Sequence, residues 1–359
     1  MRSVSLAAAL ALATTVASAD VTKSLKAELS ADPTRPFRVE NLAGQMVVRQ
    51  GSGTKVVVTA TVHGEDQRAA DLLRIVEVRD AKTGQPTLRL QYPLSETTTF
   101  RYGRDGAGSG GFFESMFSGS SKVTYDGRSV SVSASRGLGL YADVVVEIPR
   151  GSSGTFKNVV GKIEGSNVSG TLRFDSGSGA IAVRDFDGNI TADTGSGDVN
   201  AISGRGSFNC NTGSGDCTLK SFAGSRIDMD TGSGDINVTD ASAGLVSANT
   251  GSGSVMLQVR DTEDLSADTG SGDVSLDLSG SKLAHVKADT GSGDVSLKLS
   301  RNLGFEMHAD VGSGDVSSDF SDATPIMERR KVKGYRRGDL KVKIDVDTGS
   351  GDVSVGPGR

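Results

Sequence analysis

The stretch Val286-Lys-Ala-Asp-Thr-Gly-Ser-Gly-Asp-Val-Ser-Leu-Lys-Leu299 decides the fold. Val286 and Ala288 precede its Gly-Ser-Gly centre and Val295, Leu297 and Leu299 follow it, each separated from the next by one polar residue. That alternation is the signature of two strands, each with one buried face. The phrase recurs through the C-terminal half, with Gly-Ser-Gly cores starting at Gly177, Gly195, Gly213, Gly232, Gly251, Gly270, Gly291, Gly312 and Gly349. The spacings are 18, 18, 19, 19, 19, 21, 21 and 37 residues. A fixed period near 20 residues marks a solenoid, in which each rung buries its apolar face only by stacking on its neighbours.

The columns repeat from rung to rung. Ile190 and Ala192 precede one corner and Val199 and Ala201 follow it; Ile227 and Met229 precede the corner that Ile236 and Val238 follow. Val246, Ala248, Val255 and Leu257 form the next set, then Leu265, Ala267, Val274, Leu276 and Leu278. Gly-Ser-Gly suits a sharp corner because glycine visits positive φ freely. A second corner is expected near Gly188, Gly204, Gly224, Gly244 and Gly280. The fold class expected is therefore all-β, a parallel β-solenoid of 18–21 residues per rung with Gly-Ser-Gly-Asp corners. Hairpins in a sandwich are the competing arrangement, and phrases repeating in register favour parallel stacking.

Residues 1–19 read as a cleaved secretory signal: Arg2 gives the positive start, Val4 to Val16 an apolar stretch, and Ala17-Ser18-Ala19 the cleavage site. The mature product is expected in the periplasm or outside the cell. No other run approaches the roughly 18 apolar residues of a membrane span. A net charge of −5 neither demands nor excludes a charged partner. Forty-eight glycines and no tryptophan fit a thin-cored solenoid better than a globular enzyme, and they weigh against a sugar site built on stacked indoles. Cys210 and Cys217 flank one corner in inward columns, so in an oxidising compartment they either form a disulfide or serve as small buried hydrophobes.

Residues 20–150 form a less regular β-rich region that starts or caps the solenoid, and 151–355 carry the repeats. Gly51-Ser52-Gly53 resembles an early copy of the corner, and Glu65 to Ile75 is either a short helix or a charged loop. The segment 102–121 has a flexible composition, yet contains Phe112, Phe113, Met116 and Phe117, an apolar cluster suited to its own solenoid or to a partner. The insertion 321–343 is basic, with Arg329, Arg330, Lys331, Lys333, Arg336, Arg337, Lys341 and Lys343, and reads as a protruding hairpin or a rung without the phrase. It lacks the interleaved aromatics of a nucleic-acid site, so Arg329, Arg330, Arg336 and Arg337 are candidate protein or envelope contacts. The final strand, Asp352 to Val355, has no obvious cap after it; either the basic hairpin covers it or it serves end-to-end self-assembly.

Stacking aligns acids into two outward rails. Asp198, Asp216, Asp235, Asp273, Asp294, Asp315 and Asp352 follow the corner; Asp175, Asp193, Asp230, Asp268, Asp289, Asp310 and Asp347 precede it. Like charges about 4.8 Å apart repel by roughly 0.9 kcal/mol per pair even in water, so something must offset them. Backbone N–H groups at the corner could do so. Calcium could also do so, with Asp198, Asp216, Asp235, Asp268, Asp273, Asp289, Asp294 and Asp315 as ligands; no other cofactor is implied. The phrase differs from the calcium-binding nonapeptide in having Asp directly after the second glycine and twice the period. For catalysis the inventory is thin: His63, His285 and His308 read as surface histidines, and a β-helix enzyme acting on polysaccharide would need a break in the repeat that is absent before Glu328.

Three stretches together with the serial turns resemble the bacterial putative adhesin family, the head-GIN-like β-strand-repeat proteins of unknown function. They are Phe37-Arg-Val-Glu-Asn-Leu-Ala-Gly-Gln-Met-Val-Val48, Asp143-Val-Val-Val-Glu-Ile-Pro-Arg-Gly151 and Val160-Gly-Lys-Ile163. The resemblance implies a cell-envelope β-solenoid with an adhesive, scaffolding or stress-related role, and it brings no catalytic residues. The expectation is a nonenzymatic binding surface for proteins or the envelope, without nucleic acid.

Overall fold

The computed structural model describes residues 21–30, 35–80, 83–102 and 120–358. The expected signal segment 1–19 and Phe112, Phe113, Met116 and Phe117 lie outside the described residues. Those described form 27 strands and one helix, and no helix among them is long and apolar enough to cross a membrane. The chain divides into two compact units, Met1–Ala182 and Val183–Arg359.

The C-terminal unit is a parallel β-solenoid. Val199–Thr212 lies parallel to Cys217–Thr231, and that strand to Ile236–Thr250, in registers that place Ala201 beside Leu219 and Leu219 beside Val238. The apolar alternates are fully buried: Val199, Ala201, Leu219, Val238, Val255, Leu276 and Val295 are at most 1% exposed.

The corners correct one expectation. None of the Gly-Ser-Gly glycines of this unit has a positive φ. Glycine is required instead because successive corners nest: a Cβ on Gly215 would lie 2.1 Å from the Gly197 carbonyl oxygen, and one on Gly253 2.0 Å from that of Gly234. Positive φ is used at the opposite bend by Asp185, Ser203, Ser221, Asp240 and Asp261, with φ between 50° and 60°. Asp tolerates this left-handed region through its short polar side chain. Ser221 is instead tied to the next rung, donating to Asp240 Oδ2 at 3.2 Å.

The order of the last rungs departs from sequence order. His285–Thr290 pairs in parallel with Val342–Thr348, and Val342–Thr348 pairs on its other side with Phe305–Val311. Val353–Pro357 likewise lies between Val295–Leu299 and Val316–Ser318. The final rung of the chain is thus an interior rung, inserted between two that precede it in sequence. This overturns the expectation of an uncapped final strand. The rung at the end of the stack is 305–318, and the basic insertion covers it: Thr324–Glu328 and Lys331–Arg337 form a hairpin whose second strand runs antiparallel to Phe305–Val311. Pro325 on the outer strand removes a backbone donor from that edge.

The N-terminal unit begins a solenoid much earlier than residue 151. Phe37–Ala43 and Met46–Gln50 form a rung, parallel to Ser152–Val160 and to the start of Ile163–Ser176. Its corner is Gly44, at φ 127°. Gly51-Ser52-Gly53 is not a corner of this kind; it turns the chain into Lys55–Gly64, which runs antiparallel to both Val21–Ser30 and Leu138–Ile148. Gln67–Leu72 is the short helix, its first turn capped by Asp66, which accepts from the Ala69 amide at 2.7 Å.

Candidate functional site

In the C-terminal unit the corners are built around a threonine, except in the end rung, where Val311 takes its place. Thr212, Thr231, Thr250, Thr269, Thr290 and Thr348 are at most 7% exposed. Each hydroxyl donates to the corner carbonyl of the preceding rung in the stack, as from Thr231 to Gly215 O at 2.9 Å, Thr250 to Gly234 O at 2.8 Å and Thr348 to Gly293 O at 3.0 Å. In Thr231, Thr250 and Thr290 the same oxygen accepts from the amide three residues on, at 3.0 to 3.1 Å. The N-terminal unit uses other side chains at its corners: Asn158 Nδ2 donates to Gly44 O at 2.7 Å, and Ser176 Oγ accepts from the Gly179 amide at 2.8 Å.

Around this buried column run the expected carboxylates. Asp198 Oδ1 accepts from the Asp216 amide at 3.1 Å, Asp216 from Asp235 at 2.9 Å, and Asp235 from Ser254 at 2.8 Å. The series resumes with Asp273 accepting from Asp294, Asp294 from Asp352, and Asp352 from Asp315, at 2.8 to 2.9 Å. Each carboxylate therefore braces the next rung by accepting a backbone N–H, which offsets the repulsion along the rail. The rail before the corner holds Asp193, Asp230, Asp268, Asp289, Asp347 and Asp310, interrupted by Asn211 and Asn249. Lys287 lies 2.5 Å from Asp289 and Lys333 2.8 Å from Asp310. The hydrogen bond to Asp289 raises the Lys287 pKa, and that from Lys333 lowers the Asp310 pKa. Among the described residues no three His, Cys, Asp or Glu side chains gather as a metal-binding group.

Cys210 and Cys217 are joined by a disulfide across their corner, with Cα atoms 6.4 Å apart. The three histidines sit beside acids: His63 is 3.1 Å from Asp143 and stacked on Tyr141, His285 is 2.6 Å from Asp264, and His308 is 3.5 Å from Glu306. Two open grooves mark the C-terminal unit. One of about 540 Å³ follows the left-handed bend and carries Asp185, Asp187, Arg205, Asp240 and Arg260; Arg260 is tied to Asp240 at 3.3 Å. The other, of about 300 Å³, is lined by Arg226, Leu245, Asp264 and His285.

A further feature is a flat outward strip, one side chain wide. Asn200, Thr218, Asn237, Met256, Ser275, Ser296, Ser354 and Ser317 stand side by side in eight consecutive rungs. At roughly 4.8 Å per rung the strip is about 34 Å long. It contains no charge, and its one long side chain, Met256, is 53% exposed. Sequence reading concentrated on the rails and missed both this strip and the threonine column, although Thr precedes seven of the nine Gly-Ser-Gly cores, a visible signal.

The sequence model described as Toastrack DUF4097 matches residues 142–356, more than half of the chain. No curated protein matches it. Three solved structures align over nearly its whole length. One is described as a putative cell adhesion protein from Clostridium sporogenes ATCC 15579; it is 9% identical, covers 93% of this chain and 100% of its own, and has a TM-score of 0.19. A putative lipid binding protein from Parabacteroides distasonis ATCC 8503 is 13% identical, with coverage of 92% and 96% and a TM-score of 0.42. A putative adhesin from Bacteroides fragilis NCTC 9343 is 12% identical, with coverage of 93% and 97% and a TM-score of 0.37. At such scores these alignments add nothing about architecture or ligand.

Proposed function

This chain belongs to the Toastrack DUF4097 family, and from that premise we propose that it is an exported, nonenzymatic, adhesin-like or scaffold protein that binds through the flat strip of its C-terminal unit. The observation that carries the reading is the uncharged column from Asn200 to Ser317, in register over eight rungs. Short side chains lose little rotamer freedom when covered. Their even spacing suits an extended protein or envelope polymer better than a small molecule, which needs a concave pocket. The corner hydroxyls and carboxylates are occupied in holding rung to rung, whereas of the strip's side chains only Ser317 is bonded in this way, to Val353 O at 3.5 Å. Export rests on the Met1 to Ala19 segment.

The test is retention of the purified mature chain on bacterial cells and isolated envelope. Ser275→Arg with Ser296→Arg should reduce retention at least tenfold without moving the unfolding midpoint. Equal retention of both proteins, or none by the unmodified chain, would sink the reading.

A further inference from the structure

The basic hairpin sorts its charges. Arg336 pairs with Glu306 at 2.5 Å, Arg337 with Asp322 at 2.7 Å, Lys333 with Asp310 at 2.8 Å and Lys341 with Asp339 at 3.0 Å. These four hold the cap onto the end rung or brace its base, so Arg336 and Arg337, expected as partner contacts, are spent internally. Among the described residues no side-chain hydrogen bond or ion pair engages Arg329, Arg330 or Lys331, and all three are exposed at the hairpin tip.

The tip has a second unusual feature. Glu328 pairs with Lys331 in the strand register, so Arg329 and Arg330 are the whole of a two-residue turn. Both have positive φ, 45° and 72°. Turns of this kind favour Asn-Gly, because long side chains are disfavoured in that region. The chain instead places two arginines there, which forces both guanidinium groups outward beyond the strands. Beside them Met327 is 56% exposed, with Ile326 half-buried behind it.

We propose that this tip is a docking point for an anionic lipid surface, with Arg329, Arg330 and Lys331 against headgroup phosphates and Met327 entering the acyl boundary. Three cations against the single carboxylate of Glu328 supply the charge complementarity. The exposed Met327 distinguishes a lipid surface from a soluble polyanion, which would use the cations and leave the thioether in water. The site is separate from the flat strip and does not depend on its role.

The experiment is sedimentation of the full mature chain with phosphatidylcholine vesicles, with and without phosphatidylglycerol. Binding should require phosphatidylglycerol and weaken with salt. Arg329→Asn with Arg330→Gly installs the preferred turn, so folding is preserved, and it should lower vesicle binding about 25-fold, at roughly fivefold for each cation removed. Met327→Ser should lower vesicle binding several-fold and leave heparin binding unchanged. Ser275→Arg with Ser296→Arg should leave vesicle binding as it was. Undiminished binding by the turn variant, no preference for phosphatidylglycerol, or binding to heparin but not to vesicles would each overturn the proposal.

Discussion

Replacing Thr250 by valine tests the corner directly. The side chain is 1% exposed, donates to Gly234 O at 2.8 Å and accepts from the Gly253 amide at 3.1 Å. Valine keeps the shape and removes the hydroxyl, so a buried carbonyl and a buried amide lose this partner together. A net hydrogen bond contributes about 1 kcal/mol, and a buried group left unsatisfied costs about 1–3 kcal/mol. Two such groups place the loss at roughly 2–6 kcal/mol. Thr250→Ser keeps both bonds and should cost under about 1 kcal/mol, the contribution of one buried methyl group. Urea unfolding followed by circular dichroism gives the totals. Amide exchange at Gly253 reports the local effect, because rung-to-rung interfaces dominate solenoid stability. The column supplies its own comparison in Val311, which is half-buried at the end rung, where the Gly314 corner is exposed to solvent. A Thr250→Val protein within about 0.5 kcal/mol of the parent, with unchanged exchange at Gly253, would refute the assignment of the threonines as rung-to-rung bridges.

Four further outcomes are expected. Gly253→Ala places a Cβ 2.0 Å from the Gly234 carbonyl and should destabilise by about 1–3 kcal/mol, read from the urea midpoint. Reducing the Cys210–Cys217 bond should cost about 2.5 kcal/mol for so short a loop, measured by unfolding with and without dithiothreitol. Glu306, Asp310 and Asp322 have lowered pKa values, chiefly through hydrogen bonds from Arg336, Lys333 and Arg337. Their contribution is complete above the ordinary values of 4.5 and 3.8 and is lost as pH falls through the lowered folded values. Proteolysis of the hairpin by an acid-active protease should therefore accelerate in that range, and a flat rate would count against the cap. Millimolar calcium should leave the melting temperature where a chelator leaves it; an upward shift abolished by Asp273→Asn with Asp294→Asn would make the rail a cation site.

The rung pattern was legible because alternation and period are properties of the chain itself: Val286, Ala288, Val295 and Leu297 announce their burial without reference to any neighbour. What escaped reading depends on the neighbours. The corner glycines answer to a carbonyl in the adjacent rung, so the local preference of glycine for positive φ pointed to the wrong reason for them. The left-handed Ser203, Ser221 and Asp240 carry only a weak tolerance for that region. The stacking order of the last three rungs was hidden by repetition itself. Columns ending in Thr290, Val311 and Thr348 are nearly interchangeable, and the 37-residue gap was the sole hint that the chain leaves a space and returns to fill it. For the lipid site, composition marked the basic cluster, but only the ion pairs separate Arg329 and Arg330 from Arg336 and Arg337.

The returning rung also imposes a calendar on the molecule's birth. Rungs up to 285–299 can settle one upon another as the polypeptide lengthens, each meeting a surface already made. The next segment to emerge, 305–318, has its proper neighbour still unsynthesised, since Val342–Pro357 must come between them. Completion waits for the segment 342–357. Deleting that segment would not shorten the stack by one step; it would leave a vacancy inside it and strand the end rung with its cap, so this late rung is the keystone of the stack's end.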